Sequence, residues 1–172
     1  MEQLIMTRGN NPPREVILPD GYGMRAFKDG DETEWCLCCM DGELGVGEAS
    51  EKMFDEKMRS DPSVDLSRIY FLTKGDEVAG TVTFQNKGEE NEAYIHMVAI
   101  KKEYRGLGLS SGLINYALGR MREAGVKRVL LTTDSWRLAA IKTYLNCGFV
   151  PLINDGDVDT TMRWYEVLEA AR

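Results

Sequence analysis

Residues 92–112 read Glu92-Ala93-Tyr94-Ile95-His96-Met97-Val98-Ala99-Ile100-Lys101-Lys102-Glu103-Tyr104-Arg105-Gly106-Leu107-Gly108-Leu109-Ser110-Ser111-Gly112. The first nine are rich in β-branched and aromatic side chains and predict a strand. From Leu109 onward, Leu113, Ile114, Ala117, Leu118 and Met121 fall on one helical stripe that Gly125 stops. A buried strand over residues 128–133 follows, so the strand, helix, strand order calls for a parallel crossover. Between the first strand and the helix, Gly106 and Gly108 let the backbone approach a ligand. Successive amides and the positive end of the helix then face one point, and Arg105 adds a fixed charge, a pattern suited to a pyrophosphate.

Working outward from this unit, residues 68–73, 77–85 and 92–100 predict three strands separated by Lys74-Gly75-Asp76 and Asn86-Lys87-Gly88, an antiparallel meander. Upstream, residues 22–27 alternate well enough for a strand. Residues 31–40 and 49–59 read as helices, the second ended by Asp61-Pro62. Residues 1–20, broken by Asn10-Asn11-Pro12-Pro13 and Leu18-Pro19-Asp20, predict an extended arm or one short strand. Downstream, a helix over 137–146, a strand over 149–153 and a terminal helix over 160–172 complete the chain. The class is α+β with a central mixed, mostly antiparallel sheet.

Composition narrows the function. A chain of 172 residues with 43% hydrophobic residues fits one domain over residues 1–172. Its 21 basic and 28 acidic residues leave a net charge of −7, which argues against a broad nucleic-acid or anionic-lipid surface. The N-terminal apolar patch is only Leu4-Ile5-Met6, so the expectation is a cytoplasmic protein with neither signal peptide nor membrane span. The four cysteines, Cys36, Cys38, Cys39 and Cys147, lack a second pair, and His96 is the single histidine. No metal site is expected, and the first three thiols read as small buried hydrophobes.

Two nucleotide-binding patterns compete for the glycines. A dinucleotide fingerprint needs a third glycine where Ser111 stands, and places its first glycine almost directly after the strand, whereas five residues, 101–105, intervene here. The stretch Arg105-Gly106-Leu107-Gly108-Leu109-Ser110 instead resembles the phosphate-binding motif [Q/R]-x-x-G-x-[G/A] of the GNAT superfamily of acetyl-CoA-dependent N-acetyltransferases, with Ser110 at the final small position. A second element of that superfamily, N-x-x-A-[IV]-x-x-Y-x-x-x-G-F, is matched from Arg137 through Ala140, Ile141 and Tyr144 to Gly148-Phe149, with Arg137 in place of Asn. The resemblance covers residues 22–149. The segments around Thr132-Thr133-Asp134 and His96-Met97-Val98 look most like mycothiol-synthase-like branches.

This resemblance implies a GNAT-like fold in which strands 92–100 and 128–133 splay apart. The pantetheine of acetyl-CoA would lie in the V, bonded to backbone groups of Val98 and Ile100 with Ala99 between them. An unpaired strand edge offers N–H and C=O groups that an amide-bearing ligand satisfies as a false strand. The pyrophosphate would sit over Gly106 to Ser111 (with Leu107, Leu109 and Ser110 lending backbone), and Arg105 and Arg137 would lie beside the cofactor. Tyr144, four residues beyond Ala140, would face the sulfur and protonate the departing thiolate. An amine nucleophile must also lose a proton, which for a lysine-like ammonium costs roughly 4–5 kcal/mol at pH 7. His96 is one candidate base; Glu92, placed on the same side by period-two alternation with Tyr94, His96 and Val98, is the other, acting through water.

The expected activity is direct acetyl transfer from acetyl-CoA to a primary amine of a small molecule or peptide, by a monomer or homodimer. Cys147 has no histidine near it in sequence, which argues against a covalent enzyme intermediate. The acidic surface points toward cationic acceptors such as polyamines, aminoglycosides or lysine side chains. The alternative is a non-catalytic acyl-CoA-binding sensor or interaction module that keeps the cradle and dispenses with acid and base.

Overall fold

The computed structural model describes residues 3–40, 48–86 and 90–171. In chain order the elements are β1 (Leu4–Gly9), β2 (Tyr22–Ala26), α1 (Glu32–Met40), α2 (Glu51–Phe54) running into a π-helical turn (Asp55–Arg59), β3 (Val64–Lys74), β4 (Glu77–Gln85) and β5 (Glu92–Ile100). A 3-10 turn (Lys102–Tyr104), α3 (Leu109–Glu123), β6 (Arg128–Thr133), α4 (Leu138–Asn146), β7 (Val150–Pro151) and α5 (Val158–Ala170) follow. They form one seven-stranded sheet in the order β2-β3-β4-β5-β6-β1-β7.

The sheet is the expected mixed one: β2 through β5 are antiparallel neighbours and β5 pairs with β6 in parallel. The β3–β4 turn is the expected one, with Gly75 at φ +57° between the paired residues Lys74 and Glu77. Of the other expected turn, residues 87 and 88 lie outside the described residues. The N-terminal stretch resolves to its short-strand alternative, and the strand is internal. β1 lies between β6 and β7, with Leu4 opposite Thr133 and Met6 opposite both Leu131 and Pro151.

Leu4 and Met6 are buried, and the third inward residue of β1 is Arg8. Its guanidinium donates to four carbonyl oxygens: Cys147 at 2.9 Å, Gly9 at 3.0 Å, Asn11 at 2.7 Å and Pro12 at 3.1 Å. Charge-assisted bonds of this kind make a buried cation tolerable and tie the first strand to the end of α4. Gly148, at φ +85°, lies beneath this staple, where an added Cβ would stand 3.3 Å from the Arg8 Nε.

Two apolar clusters cover the faces of the sheet. One joins Tyr70, Leu72, Val82, Phe84, Ala93, Ile95 and Ile100 to the α3 stripe, Ile141, Phe149 and Trp164. The other packs Trp35, Cys36, Cys38, Cys39, Phe54 and Met58 on Ile69, Phe71 and Val78. The α1 cysteines are buried free thiols; burial pushes the Cys38 thiol up to about 12 and the Cys39 thiol higher still. Trp35 donates its indole N–H to Thr83 Oγ1 at 3.2 Å, satisfying both buried groups. The terminal helix begins earlier than expected because the Asp157 side chain caps it, accepting from the Thr160 amide at 2.9 Å. No described helix is long and apolar enough to cross a membrane.

Candidate active site at the parted strands

β5 and β6 pair only from Glu92↔Arg128 to Ile95↔Leu131, although β5 runs on to Ile100 and β6 to Thr133. Beyond Ile95 the β6-facing edge of β5 therefore has no strand beside it among the described residues, while its other edge stays paired with β4 as far as Gly80↔Ile100. This is the splay, and two cavities open at it. One, about 250 Å³, is lined by Val98, Ala99, Ile100, Arg105 and Ser110 on one side and by Arg137, Ala140 and Tyr144 on the other. The second, about 490 Å³, shares Val98, Arg137, Ala140 and Tyr144 and extends to Gln3, Trp35, Lys57, Tyr94, His96, Met97, Thr132, Thr133 and Asp134. Val98 and Tyr144 stand at the boundary between the two.

At the far side of the first cavity, Gly106 at φ +79° and Gly108 at φ +72° turn the chain into α3, with Gly108 as the N-cap. Among the described residues nothing lies within 4 Å of where a Cβ would stand at either glycine, and no side chain caps the first amides of α3. The opening amides of a fifteen-residue helix are thus left for an anion. Leu107 is exposed whereas Leu109 is buried in the core, so what these two residues offer the cradle is backbone. The Ser111 hydroxyl turns inward, 3.6 Å from the Cys147 sulfur. Arg105 donates its Nε–H to the Ile100 carbonyl at 2.9 Å, which fixes the arginine at the mouth and occupies one of the groups expected to meet pantetheine.

On the other wall, Arg137 is the N-cap residue of α4; its Nε lies 3.1 Å from Asp134 Oδ2 and its guanidinium stacks over Trp136 at 4.7 Å. Tyr144 packs edge-on against Phe149 at 6.0 Å, and burial pushes its phenol up to about 12. A phenol held that high stays protonated through the neutral range and is a proton donor. The remaining cysteine, Cys147, is buried against Ser111 and Asn115 with its thiol pushed up by burial, an inert setting for sulfur.

The two candidate bases part company. Thr83 pairs with Met97 and Phe84 with Ile95, so His96 is an extra residue on β5, a β-bulge. The bulge shifts the alternation: Ala93, Ile95, Val98 and Ile100 pack in one cluster, Met97 and Ala99 in the other. The single-face reading of Glu92, Tyr94, His96 and Val98 is therefore corrected, because one inserted residue inverts every later side chain. His96 lines the second cavity. Glu92 lies at the other end of the strand, where it pairs with Arg128 at 3.3 Å and lines a separate hollow with Arg68 and Asn91.

Residues to which the sequence assigns no site role join the second cavity. Tyr94 and Thr132 face each other from β5 and β6 with hydroxyl oxygens 2.5 Å apart, and Trp35 and Lys57 arrive from the early helices. Tyr94 and Thr132 lie at the period-two positions of expected strands and were open to that reading. Lys57 is one exposed lysine among many.

The parallel strand pair parts beside a glycine-turned helix N-terminus, with two adjoining cavities at the parting, in an α+β fold. The Acetyltransferase (GNAT) family model matches residues 25–149, and the chain belongs to that family. Among curated proteins it is 24% identical over 147 residues to a mycothiol acetyltransferase of Streptomyces scabiei, covering 83% of this chain and 47% of that protein. It is 36% identical over 64 residues to N-alpha-acetyltransferase 30 of Schizosaccharomyces pombe, 37% of this chain and 43% of that protein. Among solved structures, a GCN5-related N-acetyltransferase from Sphaerobacter thermophilus superposes with a TM-score of 0.68 at 20% identity over 87% of this chain and 48% of that one. The NatC complex bound to Gag peptide and CoA gives 0.61 at 17% identity over 77% and 86%. The chain thus spans about half the length of the mycothiol acetyltransferases it matches.

Proposed function

We propose that the chain is an acetyl-CoA-dependent N-acetyltransferase that moves an acetyl group directly onto a primary amine of a small molecule or peptide. The observation that carries this reading is the meeting of two cavities at Val98 and Tyr144, one leading to a phosphate-type cradle and the other to a polar recess. The pieces fit the cofactor: open amides from Gly106 to Ser111 for the pyrophosphate, Arg105 beside them, and, for the pantetheine amides, the parted edge of β5 at Val98, the Ile100 carbonyl there being held by Arg105.

Bound acetyl-CoA supplies an activated thioester. The chain's own groups do the rest. His96, on the acceptor side, takes the proton that the acceptor ammonium must lose before its nitrogen bonds to the acyl carbon. The Val98 amide, on the free edge, stabilises the negative oxygen that forms, a donor worth about 3 kcal/mol. As the carbon–sulfur bond breaks, Tyr144 gives its proton to the thiolate. Glu92 has no part in this scheme: its partner is Arg128. The sensor alternative keeps the first cavity alone and predicts CoA binding without turnover. Mixing the purified protein with acetyl-CoA and a panel of primary amines, and following release of CoA thiol, tests the proposal. Amine-dependent release supports it, and tight CoA binding with no release for any amine overturns it.

A further inference from the structure

Among the described residues, the lining of the acceptor-side cavity has a charge balance opposite to that of the chain. Against a net charge of −7, the described residues lining it include the cations Lys57 and Arg137 and one carboxylate, Asp134, which is already held 3.1 Å from the Arg137 Nε. Lys57 is the surplus. Among the described residues it makes no ion pair, whereas its charged neighbours in the same turn are engaged: Arg59 with Asp55 and Glu32 at 2.5 Å each, and Glu56 with Lys52 at 3.8 Å.

The backbone that carries Lys57 is itself unusual. Residues 55–59 run as a π-helical turn continuing α2, and such turns recur at functional sites because the additional residue redirects the side chains around it. Met58, next in sequence, is fully buried in the core, which fixes the orientation of the turn. Trp35 gives the recess an apolar wall, and Tyr94, Thr132 and Thr133 line it with hydroxyls.

We infer that the acceptor is a primary amine that also carries a carboxylate, an amino-acid-like molecule, and that Lys57 is the residue that selects it. The inference rests on reading this cavity as the acceptor side of an acetyltransferase. An acceptor carboxylate meeting Lys57 removes the cavity's surplus charge. A polyamine, drawn by the acidic exterior, meets a like charge at the mouth instead, so the same lysine rejects the class of acceptor that overall charge favours.

The test uses matched amines that differ only by the carboxylate: phenylalanine against phenethylamine, and lysine against cadaverine. The carboxylate-bearing member should show a kcat/KM about fivefold or more above its partner, carried mainly in KM and shrinking with added salt. Lys57→Gln should largely erase that ratio and Lys57→Glu invert it, while affinity for CoA is retained. Equal or better turnover of the decarboxylated amines by the parent protein, or an unchanged ratio in Lys57→Glu, overturns the inference. Should no amine be acetylated, binding of N-acetylphenylalanine against N-acetylphenethylamine to the CoA-loaded protein, followed by NMR, decides separately. A Lys57-dependent preference for the carboxylate upholds anion recognition while the acetyltransferase reading falls. Equal binding, or none, refutes both.

Discussion

Replacing Gly108 by valine places a β-branched side chain at a residue whose φ is +72°. The left-handed conformation costs an L-residue roughly 1–2 kcal/mol, and for a domain of this size each kcal/mol lowers Tm by about 2–4 °C. The added Cβ meets no atom within 4 Å, so strain is the whole structural cost and the variant should fold. Its effect on the ligand should be larger. The open amides after Gly108 serve a pyrophosphate only if the backbone can be approached, and hydrogen bonds to a charged partner contribute about 1.5–3 kcal/mol each. Losing two of them weakens CoA binding by about a hundredfold or more. Gly125→Val is the matching control: φ is +86°, the space is equally open, and the residue follows the end of α3 opposite the cradle. Titration calorimetry with CoA should show near-parent affinity for Gly125→Val and a collapse for Gly108→Val. A folded Gly108→Val protein that binds CoA within about threefold of the parent would refute the cradle assignment.

Three further outcomes are expected. Tyr144→Phe should keep CoA affinity and lower kcat by about 100-fold, because the hydroxyl matters only as charge develops on sulfur; a loss under about twofold in stopped-time CoA-release assays would leave Tyr144 a packing residue. His96→Ala should depress kcat/KM strongly for an acceptor amine of high pKa and weakly for one of low pKa, with Glu92→Gln near parent for both; the reverse order would return the proton to Glu92. Burial works to raise the Asp31 carboxyl, but hydrogen bonds from Arg25 at 2.5 and 2.9 Å and from the Lys28 amide at 2.8 Å outweigh it and hold the group below the usual carboxylate range. A carboxyl lowered in the folded state contributes stability above its unfolded pKa of about 3.9 and loses it as pH falls through the folded value. Asp31→Asn should therefore unfold at lower urea than the parent at pH 7, by about 2 kcal/mol, and the gap should narrow steadily below about pH 4.

The β5-loop-α3-β6 unit is legible in the sequence because its signals agree locally: a β-rich run, two glycines, an apolar stripe of helical period and a second β-rich run. The cradle and Tyr144 follow from that unit and from the second motif. The place of β1 is not legible, because a six-residue strand carries nothing that names a partner at residues 128–133. Nor is Arg8 recognisable as an inward-facing position until the carbonyls around it are assembled. The bulge at His96 escapes for a different reason. Tyr94, Ile95, His96, Met97 and Val98 offer an amphipathic or apolar side chain at every position, so an inverted alternation leaves no polar residue stranded to reveal it. Glu92 stands apart for another reason, its place at the start of β5, where Arg128 meets it. The place of Lys57 in the second cavity is not legible either, because a π-helical turn of residues 55–59 carries it there.

The most direct test of the account is a product balance. The purified protein is incubated with acetyl-CoA and an amine acceptor, and acetylated amine, free CoA and any acetyl group on the protein are quantified together by mass spectrometry. The account predicts acetylated amine and CoA in equal amounts, no acetyl group retained on the chain, and a marked drop in both products for Tyr144→Phe. CoA retained at the cradle with no acetylated amine from any acceptor, or an acetyl group lodged on Cys147, would contradict it.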